Sequence, residues 1–351
     1  MPIDEKSSTA RYRTMKPGAR NLVTDVEGVL VGNAEDVEIR TGVTVVLATS
    51  PVVGAVDIRG GAPGTTGTAE LEPTRVVERV DAITLSGGSA FGVAAASGAQ
   101  SWLAERERGF QVGSIRVPIV SGAILFDLLN GGDKAWGEEP PYRHLARVAC
   151  DSAGRDFELG NFGAGYGATA GKLKGGLGSA SIQVEEGWTV GAVVAVNSHG
   201  EVTIPGSPSL WAWPLEIGGE MGGQPVPDGP VAAGDLDYAF GADRGRHTTI
   251  GVIATDVALN QAQATRVAAM AHDGFARAIR PVHTLYDGDT IFAISTSAYE
   301  LPEPAPAAIS RIGMLAADCM MRAIGRAVFT ADRLGDWPGY REVYGASLKR
   351  R

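Results

Sequence analysis

The stretch Gly245–Asp256, GRHTTIGVIATD, lies in the second half of the 351-residue chain. Its later part, TTIGVIATD (248–256), is a short run rich in β-branched and other apolar residues, which predicts a strand buried on both faces. The basic, glycine-led tripeptide GRH (245–247) stands directly before it. The rest of the sequence bears on the chemical role of Thr248, which stands at the junction between the two parts.

Similar apolar runs occur on both sides of this strand. Further strands are predicted within 21–32, 41–49, 52–58, 80–88, 115–127, 160–183 and 286–296. Helices are predicted at about 89–107, 142–154, 258–280 and 305–329, from apolar residues at helical spacing. Strands and helices fall into blocks and do not alternate regularly. The predicted fold class is therefore α/β, a layered αββα-type sandwich, with residues 1–351 forming a single domain.

Two segments carry less regular predictions. The run TVGAVVAVNSHGEVTI (189–204) is interpreted as a hairpin, because two apolar stretches flank the turn-forming Asn-Ser-His-Gly. Residues 205–246 are predicted to form a long loop rich in Pro, Gly and Trp. A loop of this length in a compact domain is often functional, so Trp211 and Trp213 could shape a pocket or serve as packing anchors.

The composition excludes several classes of protein. The net charge is −9 and there is no long basic block, so neither nucleic acid nor an anionic membrane is expected as a partner. Cys150 and Cys319 are far apart and are predicted to be buried free thiols. The sequence contains no signal-peptide pattern and no run of about 18 apolar residues. We therefore expect a cytoplasmic location.

Three familiar site patterns are incomplete. GYGATAGKL (165–173) departs from a phosphate-binding loop, because Tyr166 stands at a required glycine and Leu173 at the required Ser or Thr. GGSAFG around Ser89 lacks the Gly-x-Ser-x-Gly order of a nucleophile elbow. The five histidines and two cysteines show no paired ligand spacing. No metal site and no cofactor are therefore expected.

Thr248 could act as a nucleophile only if a base accepted its hydroxyl proton. The residue's own α-amine is such a base, because its pKa lies near about 8. That amine exists only after the peptide bond between His247 and Thr248 has been cut. A chain using this chemistry must therefore cleave itself. Taken alone, two threonines opening a strand are more simply explained by β-propensity.

Seven blocks of sequence change this balance. They are AVDIRGGAPGT (55–65), LSGGSAFGVAAASG (85–98), VPIVSGAILFD (117–127), GATAGKLKGGLGSAS (167–181), VVAVNSHG (193–200), TTIGVIATDVALNQAQ (248–263) and IRPVHTLYDGDTIFAIST (279–296). In this order, over nearly the whole chain, they resemble the DmpA-type family of self-processing N-terminal-nucleophile peptidases. That family includes D-/L-aminopeptidases, β-peptidyl aminopeptidases and nylon-oligomer hydrolases.

The resemblance implies that Thr248 is the nucleophile. Cleavage of the His247–Thr248 bond would give an α-chain of 1–247 and a β-chain of 248–351. Asn197 matches the family's oxyanion donor, and its alternative interpretation is a hairpin-turn residue. Lys172 matches a lysine that lines the site in nylon hydrolases, and its alternative is a solvated side chain.

Asp287 and Asp289 match a pair of acids near the nucleophile that could hold an ammonium group. Their alternative interpretation is a turn, since Asp-Gly favours one. This acid pair resembles the nylon-hydrolase version of the family. Two positions depart from the family pattern: His247 replaces a frequent Asn, and Phe126 replaces a tyrosine whose hydroxyl reaches the site in some relatives.

The resemblance implies a self-processing aminopeptidase or amide hydrolase that cleaves small aminoacyl or β-aminoacyl amides and peptides. It also implies a homo-oligomer, a tetramer of processed heterodimers. An endo-type amidase acting on ω-amino acid oligomers is the enzymatic alternative. An unprocessed, inactive binding protein of the same fold is the alternative of another class, which His247 and Phe126 keep open.

Overall fold

A computed structural model describes residues 16–227, 229 and 247–348. Its helices are α1 (Ala94–Ala104), α2 (Tyr142–Asp151), α3 (Gln261–Ala278), α4 (Ala305–Thr330) and α5 (Tyr340–Tyr344). Its strands are β1 (Val29–Asp36), β2 (Thr41–Ile58), β3 (Thr65–Thr66), β4 (Arg79–Ser86), β5 (Phe110–Val112), β6 (Ile115–Val117), β7 (Val120–Ile124), β8 (Thr169–Ala170), β9 (Leu173–Lys174), β10 (Gly176–Gln183), β11 (Thr189–Val196), β12 (Ile250–Val257) and β13 (Thr290–Tyr299).

Three separate cores show that the elements form four layers. One core packs β1, β2 and β4 against α1 and α2. A second joins β1, β2, β4 and β7 to residues of β11, β12 and β13. The third packs β10 to β13 against α3 and α4. Helices therefore cover two stacked β-layers on both sides, and the predicted αββα sandwich is confirmed.

The two β-layers are joined through strand β2, which was predicted as two strands, at 41–49 and 52–58. It is one continuous strand of 18 residues. Its pairing with β4 shifts in register between Leu47 and Val52, where the strand is exposed. The part before the shift pairs with β1 and the part after it pairs with β13. An irregularity that looked like a turn in the sequence is the point where the strand passes from one layer to the other.

Strand β12 lies in the middle of its layer, between β11 and β13. All eight of its residues are buried. Ile250, Val252 and Ala254 face the core between the two β-layers, whereas Ile253 and Val257 face the helices α3 and α4. Because both faces of the strand are buried, apolar residues occur at successive positions and not only at alternate ones.

The predicted hairpin 189–204 is wrong. Strand β11 pairs with β10 and β12, and the chain after it does not return along β11. Glu201 instead bridges Arg280, and Thr203 bridges Leu210. Residues 201–204, EVTI, alternate polar and apolar side chains as a strand does, but periodicity does not identify the partner strand.

Helix α3 begins three residues later than predicted, for a local reason. The Asn260 side chain accepts a hydrogen bond from the Gln263 amide, and the Gln263 side chain accepts one from the Asn260 amide, both at 2.9 Å. This reciprocal capping box fixes the first turn.

Both cysteines are buried free thiols, as predicted. Among the described residues, no helix is long and apolar enough to cross a membrane.

Candidate active site

The fold brings the two threonines and the two acids to one edge of the sheet. Strands β12 and β13 are parallel neighbours, with Ile250 opposite Thr290, so the residues that precede them lie side by side. His247 accordingly forms a parallel bridge with Asp287. Strand β11 runs antiparallel to β12, so Asn197, directly after β11, reaches the same edge.

Thr248 is 3% exposed and is fixed by its neighbours. Its amide donates to the Asn197 carbonyl at 2.6 Å, and its hydroxyl donates to the His247 carbonyl at 2.5 Å. The Gly288 amide lies 3.0 Å from the Thr248 hydroxyl oxygen and 3.3 Å from the His247 carbonyl oxygen. The hydroxyl and one backbone donor therefore both meet the carbonyl of the peptide bond between residues 247 and 248.

The sequence predicts only a turn at Gly288, between Asp287 and Asp289. A side chain at this position would put Cβ 2.7 Å from the Thr248 hydroxyl oxygen and 2.7 Å from the Ala62 carbonyl oxygen. Glycine is thus required for the loop to approach the threonine so closely. The signal was present in the sequence as a glycine between two acids, but only the tertiary contact gives it this meaning.

Asp289 is 1% exposed and organises the backbone around the threonines. One of its oxygens accepts from the Thr249 amide at 2.9 Å. The other accepts from the His283 amide at 3.1 Å and contacts the His283 ring Nδ1 at 2.8 Å. Sequence reasoning did not single out His283. The packing of its ring 4.8 Å from the His272 ring holds it against the carboxylate.

Asp287 is 2% exposed, and its carboxylate links the preceding residue Thr284 to His199. It accepts hydrogen bonds from the Thr284 amide at 3.0 Å, from the Thr284 hydroxyl at 2.6 Å and from the His199 amide at 3.3 Å. Burial, and secondly the nearby charge of Asp289, raise the pKa of Asp287 above its ordinary value.

The Asn197 side chain has a fixed orientation. Its oxygen accepts from the Thr169 amide at 2.9 Å, and its nitrogen donates to the Phe126 carbonyl at 3.0 Å. An amide nitrogen carries two hydrogens, so a second one can serve another acceptor. Phe126, which departs from the family's tyrosine, contributes its backbone carbonyl to this arrangement.

Lys172 is the one predicted site residue that these contacts do not join to Thr248. It is exposed, and its amide lies 3.4 Å from a Glu201 carboxylate oxygen. The neighbouring Lys174 is fully buried instead, and its Nζ donates to the carbonyls of Gly165 and Gly175 at 2.9 and 2.8 Å. Burial lowers the pKa of Lys174 to about 7.

Lys174 pairs across a short ladder with Thr169, whose amide holds the Asn197 side chain. Of the two lysines, it is therefore Lys174 that supports Thr169 and, through it, the Asn197 side chain.

Trp211 and Trp213 do not line the site. They line a groove of about 660 Å³ against helices α3 and α4, together with Arg277, Asp318 and Met321. The predicted loop 205–246 lies partly outside the described residues.

The site holds no cluster suited to a metal ion: among the described residues, no three His, Cys, Asp or Glu side chains come together in that way. The chemistry available is that of a buried hydroxyl, backbone amides, one side-chain amide and two carboxyl groups. Such groups suit acyl transfer.

Comparisons with known proteins identify the family of the chain. The model of peptidase family S58 matches residues 21–340. An uncharacterised aminopeptidase of Mycobacterium tuberculosis is 44% identical over 343 residues, covering 92% of this chain and 98% of the relative. A 6-aminohexanoate-oligomer endohydrolase of Kocuria is 30% identical, covering 81% of this chain and 78% of the relative.

Solved structures share the fold. A β-aminopeptidase of Burkholderia superposes with a TM-score of 0.69 at 24% identity, covering 96% of this chain and 97% of that one. The L-aminopeptidase D-Ala-esterase/amidase of Ochrobactrum anthropi, described as a variant of the Ntn-hydrolase fold, gives 0.69 at 22% identity, covering 91% and 88%. The chain belongs to peptidase family S58 and is a peptidase or amide hydrolase with an Ntn-hydrolase type of fold.

Proposed function

We propose that the chain cuts its own His247–Thr248 bond and then hydrolyses aminoacyl or β-aminoacyl amides with Thr248 as the N-terminal nucleophile. The observation that carries this proposal is the meeting of the Thr248 hydroxyl and the Gly288 amide at the His247 carbonyl. The first substrate is thus part of the chain itself, already held against its nucleophile.

In self-cleavage, the Thr248 oxygen attacks the His247 carbonyl carbon. The C–O bond forms as the C–N bond breaks, and the hydroxyl proton passes to the Thr248 nitrogen. Water then hydrolyses this ester, which leaves a carboxyl group on His247 and a free α-amine on Thr248. The Gly288 amide stabilises the negative charge that develops on the carbonyl oxygen.

With an external amide, the new α-amine accepts the Thr248 hydroxyl proton and returns it to the leaving amine. The second hydrogen of the Asn197 amide nitrogen and the Gly288 amide are the two donors for the oxyanion. The Asn197 carbonyl, 2.6 Å from the Thr248 nitrogen, keeps the amine oriented after the cut. Asp287 or Asp289 pairs with the amino group of the substrate, and Lys172 supplies a positive charge at the rim.

A denaturing gel tests the self-cleavage. Purified protein should give two bands of about 25 and about 11 kDa in place of the 36.4 kDa chain, the smaller one beginning at Thr248. Thr248→Ala should stay whole. A wild-type chain that remains whole for days would instead support an inactive binding protein of the same fold.

An endo-type amidase acting on ω-amino acid oligomers is the second candidate, favoured by the Kocuria relative and by the acid pair Asp287/Asp289. Aminoacyl p-nitroanilides, β-peptides and 6-aminohexanoate oligomers, given to the processed protein, separate the two. Release from the amino end of short peptides identifies an aminopeptidase, and internal cuts in long oligomers identify an endo-amidase. The assembly into a tetramer of heterodimers is tested by light scattering.

A further inference from the structure

The side chain of His247 packs against the ring of His199, next to the nucleophile Thr248 in the chain. Its ring lies 5.2 Å from the ring of His199, inclined at 52°. The ring of Tyr286 lies 5.8 Å from that of His199. His247 is thus one of three successive flat rings, of which Tyr286 is 37% exposed and stands at the rim.

The same oxygen atom is acylated in both reactions of the proposed function. In self-cleavage, the acyl group on Thr248 is residue 247 with its side chain. In turnover, it is the acyl part of the substrate, whose carbonyl must reach the same Gly288 donor. The substituent on that acyl group therefore points where the His247 ring lies in the uncut chain.

We propose that the space filled by the His247 ring becomes, after the cut, the subsite for the acyl side chain, and that it selects an uncharged flat ring. This inference rests on the proposed function and names its substrate class. It also refines the expectation of a small acyl group to one that carries a single ring.

The surroundings of the ring indicate which kind of side chain fits. The buried Nδ1 of His247 has no hydrogen-bond partner within the described part of the chain. A purely hydrocarbon ring would leave no such polar atom unsatisfied and would be favoured for that reason. Burial, and secondly His199, lower the pKa of His247 to about 4, so the ring is neutral at pH 7 and a cation is disfavoured there.

The test compares two apolar side chains that differ in shape. Phenylalanyl and leucyl p-nitroanilides, as whichever enantiomer is turned over, are assayed with fully processed protein. We expect kcat/KM to favour phenylalanyl, and His199→Ala to lower this preference by about five- to tenfold through loss of the ring contact. His199→Phe should restore it. Leu285→Ala, at a neighbouring side chain that is 82% exposed, should leave the ratio unchanged.

Each outcome decides the question. An unchanged ratio in processed His199→Ala overturns the subsite and leaves the proposed function standing. If His199→Ala slows self-cleavage, Tyr286→Ala supplies the same comparison one ring further from the cut. If processed protein turns over no amide, the proposed function fails, and calorimetry with free phenylalanine and leucine still decides the subsite. Equal binding of both acids would refute it.

Discussion

The substitution Gly288→Ala tests the role given to the Gly288 amide. The new methyl group would begin 2.7 Å from both the Thr248 hydroxyl oxygen and the Ala62 carbonyl oxygen, and 3.2 Å from Pro63 Cα. Ordinary contacts of a Cβ atom start at 3.4 Å. The loop must therefore retreat by about 0.7 Å, because close packing leaves no free space.

The neighbours cannot easily give way instead. The Ala62 amide donates to the Asp287 carbonyl at 2.8 Å, which ties that segment to the same loop. A retreat of this size would lengthen the 3.0 Å contact between the Gly288 amide and the Thr248 oxygen beyond hydrogen-bond range. Loss of one oxyanion donor typically slows acyl transfer by about 10² to 10³, or about 3 to 4 kcal/mol.

We expect self-cleavage of Gly288→Ala to slow by that factor, with a loss of stability of about 1 to 3 kcal/mol. The assay follows conversion of the full-length band on a denaturing gel after cell-free synthesis, and the melting temperature reports folding. Gly154→Ala is the matched control, since its Cβ would meet no atom closer than 3.8 Å. A folded Gly288→Ala chain cut within threefold of the wild-type rate would refute the reasoning.

Three further predictions concern single side chains. His283→Gly keeps the left-handed backbone but removes the ring at Asp289, so it should lower kcat about tenfold and shift the pH profile of kcat. His283→Asn should recover most of the rate. His144→Ala, at an exposed histidine, should change neither kcat nor its pH profile. Burial raises the pKa of Asp256 to about 6, so its ionisation destabilises the fold as pH rises from about 4 to about 6. Asp256→Asn should therefore raise the melting temperature at pH 7 but not at pH 4, and equal gains at both would contradict this. Lys172→Ala should change kcat/KM by less than about threefold, because solvent screens an exposed charge; a thirtyfold loss would show that its side chain reaches the reacting groups.

The layers and most elements were predictable because they depend on local patterns. Helix α4, predicted at 305–329, is Ala305–Thr330, and the buried strand after Thr248 is present. What failed depends on partners that are distant in the chain. The apolar pattern divides β2 at its exposed bend, and it predicts a hairpin partner for β11 where the structure has β10 and β12.

The same limit applies to the site. The residue types at Thr248, Asn197 and the acid pair could be matched to a family, but their mutual contacts follow from the parallel pairing of β12 and β13. Lys172 and Lys174 are two residues apart in the same glycine-rich segment, and the sequence of that segment does not indicate which of the two side chains is buried. The Gly288 amide and the carbonyl of Asn197 are backbone groups, and every residue offers such groups, so only the fold distinguishes them.

The position of the proposed cut follows from how the new terminus is held. Severing the bond at Thr248 frees one end of β12, yet that strand stays paired with β11 and β13 on either side. The Asn197 carbonyl holds the Thr248 nitrogen, and Asp289 holds the Thr249 amide. None of these contacts is made by His247, whose bond to Thr248 is cut. The new amine therefore stays aligned with the hydroxyl and the Gly288 amide, which is the preorganisation that acyl transfer requires.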